Sequence, residues 1–446
     1  MTRLNMMLRT LLVLVPAVPL GAAEPAIRDG DVMVFVGDYV TEEYGGAQRT
    51  DRISYPSHVE SFLTVRYPNL RVTYYNVAMA GATAPNTVER FDRDIRPLKP
   101  TVGVICLGLQ EAGMKTFDEA VFAAHKEGLR KLIGLFKAAG ARVYVLSPPS
   151  VDEHTSTNLK EVDYNSTLSQ YAAAQREIAT AEGAQYVDWF GMSVAVRDKA
   201  MQSNPAFYFS PDGLRHTNRS HGLAATLLLQ AFKAEPIVVN IRVDWKTGKI
   251  ESDAGRATLK MGEHDAREIH ISNLPIPWPT MVGPNQMMMN DWETAEWCRY
   301  MLKVDNGPSP GLLIASEVRQ IPVILQQVQE GLNLMTVEPL RSLPAAVDLS
   351  NLIRRKNYTR VHAWRDQELS PVKDPELRDA QQSLIKAWYQ YFDGYNKIIA
   401  RTPKSFDLNM KLLPLNIPTL PSLPSTRPDL PAAGRSAATR PALQPK

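Results

Sequence analysis

The stretch Asp31-Val-Met-Val-Phe-Val-Gly-Asp-Tyr-Val-Thr-Glu42 decides the fold of this chain. Its first part, Val32–Val36, is a short apolar run rich in β-branched residues, and it ends at Gly37–Asp38. This pattern predicts a buried strand that breaks into a tight turn. In doubly wound α/β sheets, ligands bind outside the carboxyl ends of the strands. The turn that carries Asp38 and Tyr39 is therefore the first candidate for a functional position.

Four more apolar runs follow this strand, and helical patterns separate them. The predicted strands are residues 72–76, 101–107, 141–146 and 186–189, and the predicted helices are 55–67, 87–95, 117–139, 164–182 and 220–232. Strands that alternate with helices predict a mostly parallel sheet covered on both faces. We therefore expect one α/β domain over residues 24–235.

The pattern changes after residue 235. Short alternating runs predict a small antiparallel β-rich module over residues 236–335, followed by a helical segment over 336–405. The strongest helix of that segment begins at Asp374–Pro375, and we expect its aromatic stripe to pack against the domains. Residues 406–446 are rich in proline without periodicity, which predicts a disordered tail.

Composition limits the classes of function. The 446 residues carry a formal net charge of +3, which gives no electrostatic case for nucleic acid as a partner. Residues 1–23 combine two arginines, an apolar run and a small-residue end, so they are predicted to be a signal peptide that exports the chain to the periplasm or the medium. No later segment has the apolar length of a membrane span. The only cysteines are Cys106 and Cys298, and the sequence leaves their pairing open.

Four short blocks carry the residues of a candidate site. They are Gly37-Asp-Tyr39, followed by Thr41-Glu42; Asn76-Val-Ala-Met-Ala-Gly81-Ala-Thr83; Gly108-Leu-Gln110-Glu111; and Pro211-Asp212-Gly-Leu-Arg215-His216. Together they resemble the SGNH (GDSL) family of esterases and lipases, in an exported subgroup with a β-rich C-terminal extension. This resemblance implies a flavodoxin-like, three-layer doubly wound parallel sheet, followed by the β-rich module and a C-terminal helix.

The resemblance also assigns roles to the first three blocks. Family members use a serine nucleophile and an oxyanion hole made by the serine amide, a glycine amide and an asparagine side chain, which act together on the tetrahedral intermediate. Tyr39 stands at the serine position, and a phenol with a pKa near 10 does not replace it. Gly81 keeps the glycine position. Gln110 stands at the asparagine position and is expected to donate from a displaced point.

The fourth block would hold the base and the aspartate that orients it. Asp212 matches the aspartate, but the ungapped register places Arg215 where the family has histidine. A one-residue insertion would return His216 to that role, and His221 follows nearby. If Arg215 occupies the base position, we expect it to pair with Asp212 or Glu111.

The sequence therefore supports three hypotheses. The first is a degenerate, non-catalytic site at the sheet edge that binds a glycan or an acylated polymer, with Asp38, Glu111 and His221 as further binding candidates. The second is an active esterase with a rearranged set that uses His216 or His221 as base. The third is a structural or assembly component. No cofactor is implied, and His264 and His270 lack a third ligand at metal spacing. The oligomeric state stays open.

Overall fold

The computed structural model of this chain describes residues 26–42, 53–278, 281–283, 286–287, 296–315, 320–337, 343–361, 364, 369 and 372–415. The predicted signal peptide and the tail beyond residue 415 lie outside the described residues. Export and disorder of that part of the tail therefore stay predictions.

The first half of the chain is a doubly wound α/β domain. Its strands are β1 (Val32–Gly37), β2 (Thr73–Asn76), β3 (Val102–Cys106), β4 (Arg142–Leu146) and β5 (Gln185–Val187). Its helices are α1 (Tyr55–Arg66), α2 (Ala84–Glu89), α3 (Phe91–Asp94), α4 (Glu119–Ala138), α5 (Thr157–Glu161), α6 (Tyr164–Ala181), α7 (Trp189–Ser203) and α8 (Asn218–Ala231).

All five strands are parallel and run in the order β2-β1-β3-β4-β5. This is the flavodoxin-like order, so the predicted fold class is confirmed. The two faces of β1 belong to different cores. Val34 and Val36 pack in the cluster that includes Phe136 of α4, whereas Met33 and Phe35 pack in the cluster that includes Phe62 of α1. Burial on both faces explains why the strand reads as a continuous apolar run.

The described residues of the second half form three further sheets. The strands are β6 (Ile237–Asp244), β7 (Ile250–Ser252), β8 (Arg256–Met261), β9 (Arg267–Pro275), β10 (Met281–Gly283), β11 (Gln286–Met287), β12 (Arg299–Asp305), β13 (Gly311–Ala315), β14 (Gln320–Ile324), β15 (Leu332–Asn333) and β16 (Ser405–Pro414). One sheet has the order β15-β12-β6-β7, another has the order β14-β13-β16-β9-β8, and the third is the antiparallel pair β10-β11. The predicted module is therefore β-rich, but its β6 and β12 pair in parallel rather than antiparallel.

The prediction that the disordered tail begins at residue 406 is wrong. Residues 405–414 form β16, which lies between β9 and β13 in the five-stranded sheet. Leu408, Met410 and Leu412 alternate with polar residues along this strand, and all three are buried. The alternation of apolar and polar residues is short and lies beside a proline-rich stretch. Proline content therefore led to the prediction of a disordered tail there.

Three helices complete the described fold: α9 (Leu325–Glu330), α10 (Pro344–Val361) and α11 (Pro375–Arg401). α10 packs against α1 of the α/β domain, and α11 packs against α10. The side chain of Asp374 accepts a hydrogen bond from the backbone nitrogen of Leu377, which confirms the predicted N-cap. Of the aromatic stripe on α11, Phe392 is buried, but Tyr391 is 56% exposed.

Candidate active site

The ends of three adjacent strands bring the sequence motifs together. β2, β1 and β3 are neighbours, and their carboxyl ends lead into the loops that carry Gly81, Tyr39 and Gln110, respectively. Gly37, at the end of β1, has no room for a side chain, because a Cβ there would lie 2.5 Å from the carbonyl oxygen of Cys106. The Gly-Asp turn therefore needs its glycine, and it places Tyr39 at this edge of the sheet.

The carboxamide oxygen of Gln110 accepts hydrogen bonds from two backbone amides. Its Oε1 lies 3.3 Å from the nitrogen of Tyr39 and 2.7 Å from the nitrogen of Gly81. Gly81 has a φ of +78°, in the left-handed region that favours glycine. Two N–H groups that converge on one oxygen have the geometry of an oxyanion hole. Gln110, expected as a displaced donor, instead places its own oxygen in that hole as an acceptor.

Asp38 connects the loop that follows β1 to the loop that follows β3. It is fully buried, and its two carboxylate oxygens accept hydrogen bonds from the backbone nitrogens of Val40, at 3.1 Å, and Gln110, at 3.0 Å. Burial raises the pKa of Asp38 to about 7, against the opposing effect of these hydrogen bonds. Asp38, expected as a binding residue, here positions the backbone that carries Gln110.

The side chain of Tyr39 connects the first block to the fourth. Its hydroxyl donates a hydrogen bond to the carbonyl oxygen of Leu214. The backbone nitrogen of Leu214 in turn donates to Asp212, at 3.1 Å. Tyr39, Gly81, Gln110 and the turn of Asp212 therefore meet at one edge of the sheet, as the sequence motifs predict.

Asp212 shapes its own turn. Its Oδ1 also accepts hydrogen bonds from the backbone nitrogen of Arg215, at 2.7 Å, and from the hydroxyl of Ser210, at 3.0 Å. Partial burial raises the pKa of Asp212, but these hydrogen bonds outweigh burial and hold it below its ordinary value. In the described part of the chain, the contacts of Asp212 do not include His216. The aspartate does not orient a histidine here.

The two candidates for the base position lie in different surroundings. The side chain of Arg215 is 59% exposed, and its Nε lies 3.6 Å from Oδ2 of Asp212. His216 is buried, with its Nδ1 2.8 Å from the hydroxyl of Ser220 and its ring 5.7 Å from that of Trp189. Of the two partners expected for Arg215, the structure shows Asp212. The carboxylate of Asp212 is half-exposed rather than buried.

His221 packs inside the domain. Its ring is stacked on that of Tyr55, with centroids 6.5 Å apart, and lies 6.2 Å from the ring of Trp189. A histidine enclosed between two aromatic rings has a packing role that its position in the sequence does not reveal.

Glu111 has a partner that the sequence analysis missed. Its Oε2 lies 2.7 Å from Nδ1 of His125, and both side chains are almost fully buried. Nε2 of His125 lies 3.1 Å from the side-chain amide nitrogen of Gln175, so both ring nitrogens have a buried polar neighbour. Glu111 also accepts a hydrogen bond from the backbone nitrogen of Ala84, so it anchors the loop that follows Gly81.

One signal in the sequence points to His125. The buried residues of α4 include Phe122, His125, Leu129 and Leu132, so a histidine occupies the apolar face of an amphipathic helix. A polar residue at a core position of a helix needs a buried partner. Here that partner is Glu111.

A cavity of about 350 Å³ opens beside Gly81. Its lining includes Met79, Asn86, Arg90 and Arg93. Arg90 is buried and donates to the carbonyl oxygen of Val77, at 2.9 Å. Glu89 also lines the cavity, so its walls next to the amide of Gly81 combine apolar side chains with charged ones of both signs.

The described residues contain no cluster of three or more potential metal ligands. None of their helices has the length and apolarity that crossing a membrane requires. Cys106 and Cys298 are both buried free thiols.

Comparisons with known proteins agree with this architecture. Residues 35–219 match the model of the GDSL-like Lipase/Acylhydrolase family. Among solved structures, BT4096, a gut microbial diltiazem-metabolizing enzyme, aligns with a TM-score of 0.68 and 19% identity over 88% of this chain and 99% of that chain. Axe2, an acetylxylan esterase from Geobacillus stearothermophilus, aligns with a TM-score of 0.39 and 19% identity over 47% of this chain and 97% of that chain. No curated protein matches the sequence. The similarity to BT4096 concerns the fold.

Proposed function

Because residues 35–219 form a GDSL-like lipase/acylhydrolase domain, we propose that this chain is an exported, non-catalytic protein of the SGNH fold that binds an acylated ligand at the edge of its sheet. The observation that carries the proposal is the double contact of Gln110 Oε1 with the amides of Tyr39 and Gly81. Export rests on the sequence of residues 1–23 alone.

The absence of catalysis follows from the chemistry of the residues that occupy the family positions. Acyl transfer needs an activated nucleophile, a base that is oriented toward it and donors that are free to meet the oxyanion. Tyr39 offers a phenol that donates to the carbonyl oxygen of Leu214. Asp212 uses its carboxylate in its own turn. Oε1 of Gln110 already accepts hydrogen bonds from the amides of Tyr39 and Gly81, which are the donors of the hole. Each change removes a different requirement, so together they abolish ester hydrolysis.

Binding of an acyl group follows from the same geometry. The two amides are spaced to hold one oxygen, and the carbonyl oxygen of an ester or an acetyl group can take the place of Gln110 Oε1. Each exchanged hydrogen bond changes the free energy by only about 1 kcal/mol, so ligand and side chain compete on nearly equal terms. The cavity beside Gly81 accommodates the group that bears the acyl chain. Acylated glycans or other acylated polymers are the ligand class that we propose.

A second candidate function is a working esterase with a rearranged set. It is favoured by the converging amides of Tyr39 and Gly81, which retain the geometry of a hole that would open if Gln110 rotated away. His216 would then act as base toward a water molecule. This candidate predicts turnover of an ester, whereas the first predicts binding alone.

Calorimetric titration with partially acetylated xylooligosaccharides tests the proposal. The wild type should bind them more tightly than the same oligosaccharides after deacetylation. Gln110→Ala should bind the acetylated probe several-fold more tightly than the wild type, because the competing oxygen is gone. Gln382→Ala, which removes an exposed carboxamide on α11, is the matched control and should leave affinity unchanged.

Acetate release measured in the same samples separates the two functions. The binding function predicts no release. If neither protein distinguishes acetylated from deacetylated probe, the binding function is wrong. Release of acetate that is lost in His216→Ala establishes the esterase instead.

A further inference from the structure

The long helix α11 has an exposed apolar line in addition to the buried one. Its 27 residues span about 40 Å. Ile385, Phe392 and Ile399 are buried, and Ile399 packs in the cluster that includes Leu349 and Ile353 of α10. The residues immediately before them, Leu384, Tyr391 and Ile398, are 44%, 56% and 50% exposed, and Leu377 is 60% exposed. Four large apolar side chains therefore repeat every seven residues on the open side of the helix.

Small residues accompany this line. Ala380, Ala387 and Gly394 each follow one of the large residues by three positions. A Cβ on Gly394 would meet no atom within 4 Å in the described part of the chain, so the packing of that part does not require glycine there. A glycine inside a helix costs about 1 kcal/mol relative to alanine. Close approach of another backbone would explain its presence.

These residues define a heptad seam, with large residues at the a positions and small ones at the d positions. In a two-stranded antiparallel pair, each a residue packs against a d residue of the other helix. One register places Leu377 against Gly394 of the partner subunit, Leu384 against Ala387 of the partner subunit, and Tyr391 against Ala380 of the partner subunit. Each of these three layers combines one large and one small side chain, and Ile398 lies beyond them, past the end of the partner helix.

Charge agrees with the same register. In an antiparallel pair, the g positions, which directly precede the a positions, lie opposite g positions of the other helix. Glu376 and Lys397 are both g residues, so Glu376 lies beside Lys397 of the partner subunit. Two-fold symmetry forms this contact twice, and antiparallel helix dipoles are also favourable. In the parallel arrangement these two residues lie at opposite ends of the seam.

We propose that the chain forms a two-fold dimer in which α11 pairs antiparallel with α11 of a second copy. The outer face of the helix carries both signs of charge, including Arg378, Asp379, Lys386 and Asp393, whereas helices that lie on anionic lipid carry mostly basic residues there. A lipid surface would also give no reason for the row of small residues. The seam therefore fits a second copy of this helix better than a membrane.

Sedimentation of the mature full chain tests the proposal. The wild type should be dimeric at micromolar concentration. Leu384→Glu, near the two-fold axis, should raise the dissociation constant at least 100-fold, while Gln382→Glu, outside the seam, should leave it unchanged. Circular dichroism and thermal melting check that both variants fold. A wild type that stays monomeric at about 100 μM, or a dimer that survives Leu384→Glu in the folded protein, overturns the proposal.

Charge reversal and cross-linking test the direction of the pair. Glu376→Lys and Lys397→Glu should each weaken the dimer, and the double reversal should restore it. Ala387→Cys, near the axis, should cross-link with a short bis-maleimide, whereas Ala380→Cys should not. Cross-linking of both variants, or a double reversal that fails to restore the dimer, would show that the helices are not antiparallel. Cys106 and Cys298 are buried, so the added thiols are the reactive ones.

Discussion

The carboxamide oxygen of Gln110 lies 2.7 Å from the backbone nitrogen of Gly81, in the position that the oxygen of a bound acyl group would take. The same oxygen also accepts the N–H of Tyr39. The chain thus satisfies its own anion-binding amides with a neutral side chain. This contact connects the residues that differ from the family pattern in two separate blocks, because the side chain of Gln110, one methylene longer than asparagine, reaches the amide of Tyr39.

The contacts of Gln110 predict opposite effects on stability and binding. Gln110→Ala should lower the free energy of unfolding by about 1–2 kcal/mol, because two hydrogen bonds are lost. The same variant should bind the acetylated probe more tightly. Urea denaturation measures the first effect. An unchanged free energy of unfolding would mean that the oxygen of Gln110 does not occupy the hole.

The packing of α4 on α2 supports the loop that carries Gly81. A Cβ on Gly128 would lie 2.7 Å from the backbone nitrogen of Pro85. We expect Gly128→Ala to destabilise the protein by about 1–3 kcal/mol through overpacking, although alanine is the better helix former.

Gly134 in the same helix provides the control for this substitution. A Cβ there would meet nothing within 4 Å in the part of the chain that the structure describes. Gly134→Ala should therefore stabilise the protein by about 1 kcal/mol. Thermal melting of both variants decides the point, and equal shifts of the same sign would contradict the close packing at Gly128.

Asp38 predicts a pH dependence of stability. Burial raises its pKa from the ordinary value of 3.8 to about 7. Between these two values the folded protein retains a proton that the unfolded chain has lost, so the contribution of Asp38 to stability falls as the pH rises. From about pH 5 to pH 8, the wild type should lose at least about 1 kcal/mol relative to Asp38→Asn. Denaturant titrations at both pH values measure this difference, and a relative gain by the wild type would show that the pKa is lowered instead.

A buried ion pair joins the helical segment to the α/β domain. Nζ of Lys356 on α10 contacts Oε1 of Glu60 on α1, and both side chains are at most 4% exposed. Lys356→Met should cost about 3–5 kcal/mol, because it leaves a buried carboxylate without its cation. The double variant Lys356→Met/Glu60→Leu should recover most of that loss. If the double variant is less stable than Lys356→Met, the pair does not act as a unit.

The first five strands could be predicted from the sequence, because each strand is a compact apolar run between helical patterns, whereas their order was implied by the resemblance to the SGNH family. β16 could not, since it pairs with strands more than 90 residues earlier and lies in a proline-rich context. The positions of Tyr39, Gly81 and Gln110 could be predicted from their blocks. The role of Gln110 could not, because whether its oxygen or its nitrogen faces the hole depends on two amides that come from different strands. His125 was missed for the same reason: its partner Glu111 lies on another element.

We predict that this site does not hydrolyse esters. The most direct test measures the release of p-nitrophenol from p-nitrophenyl acetate by the wild type and by Tyr39→Ala, with denatured protein as background. Both proteins should match the background, because the proposed function assigns no nucleophile to the wild type and Oε1 of Gln110 already accepts hydrogen bonds from the amides of Tyr39 and Gly81. Turnover by the wild type above Tyr39→Ala, especially if His216→Ala also abolishes it, would show that the site is catalytic.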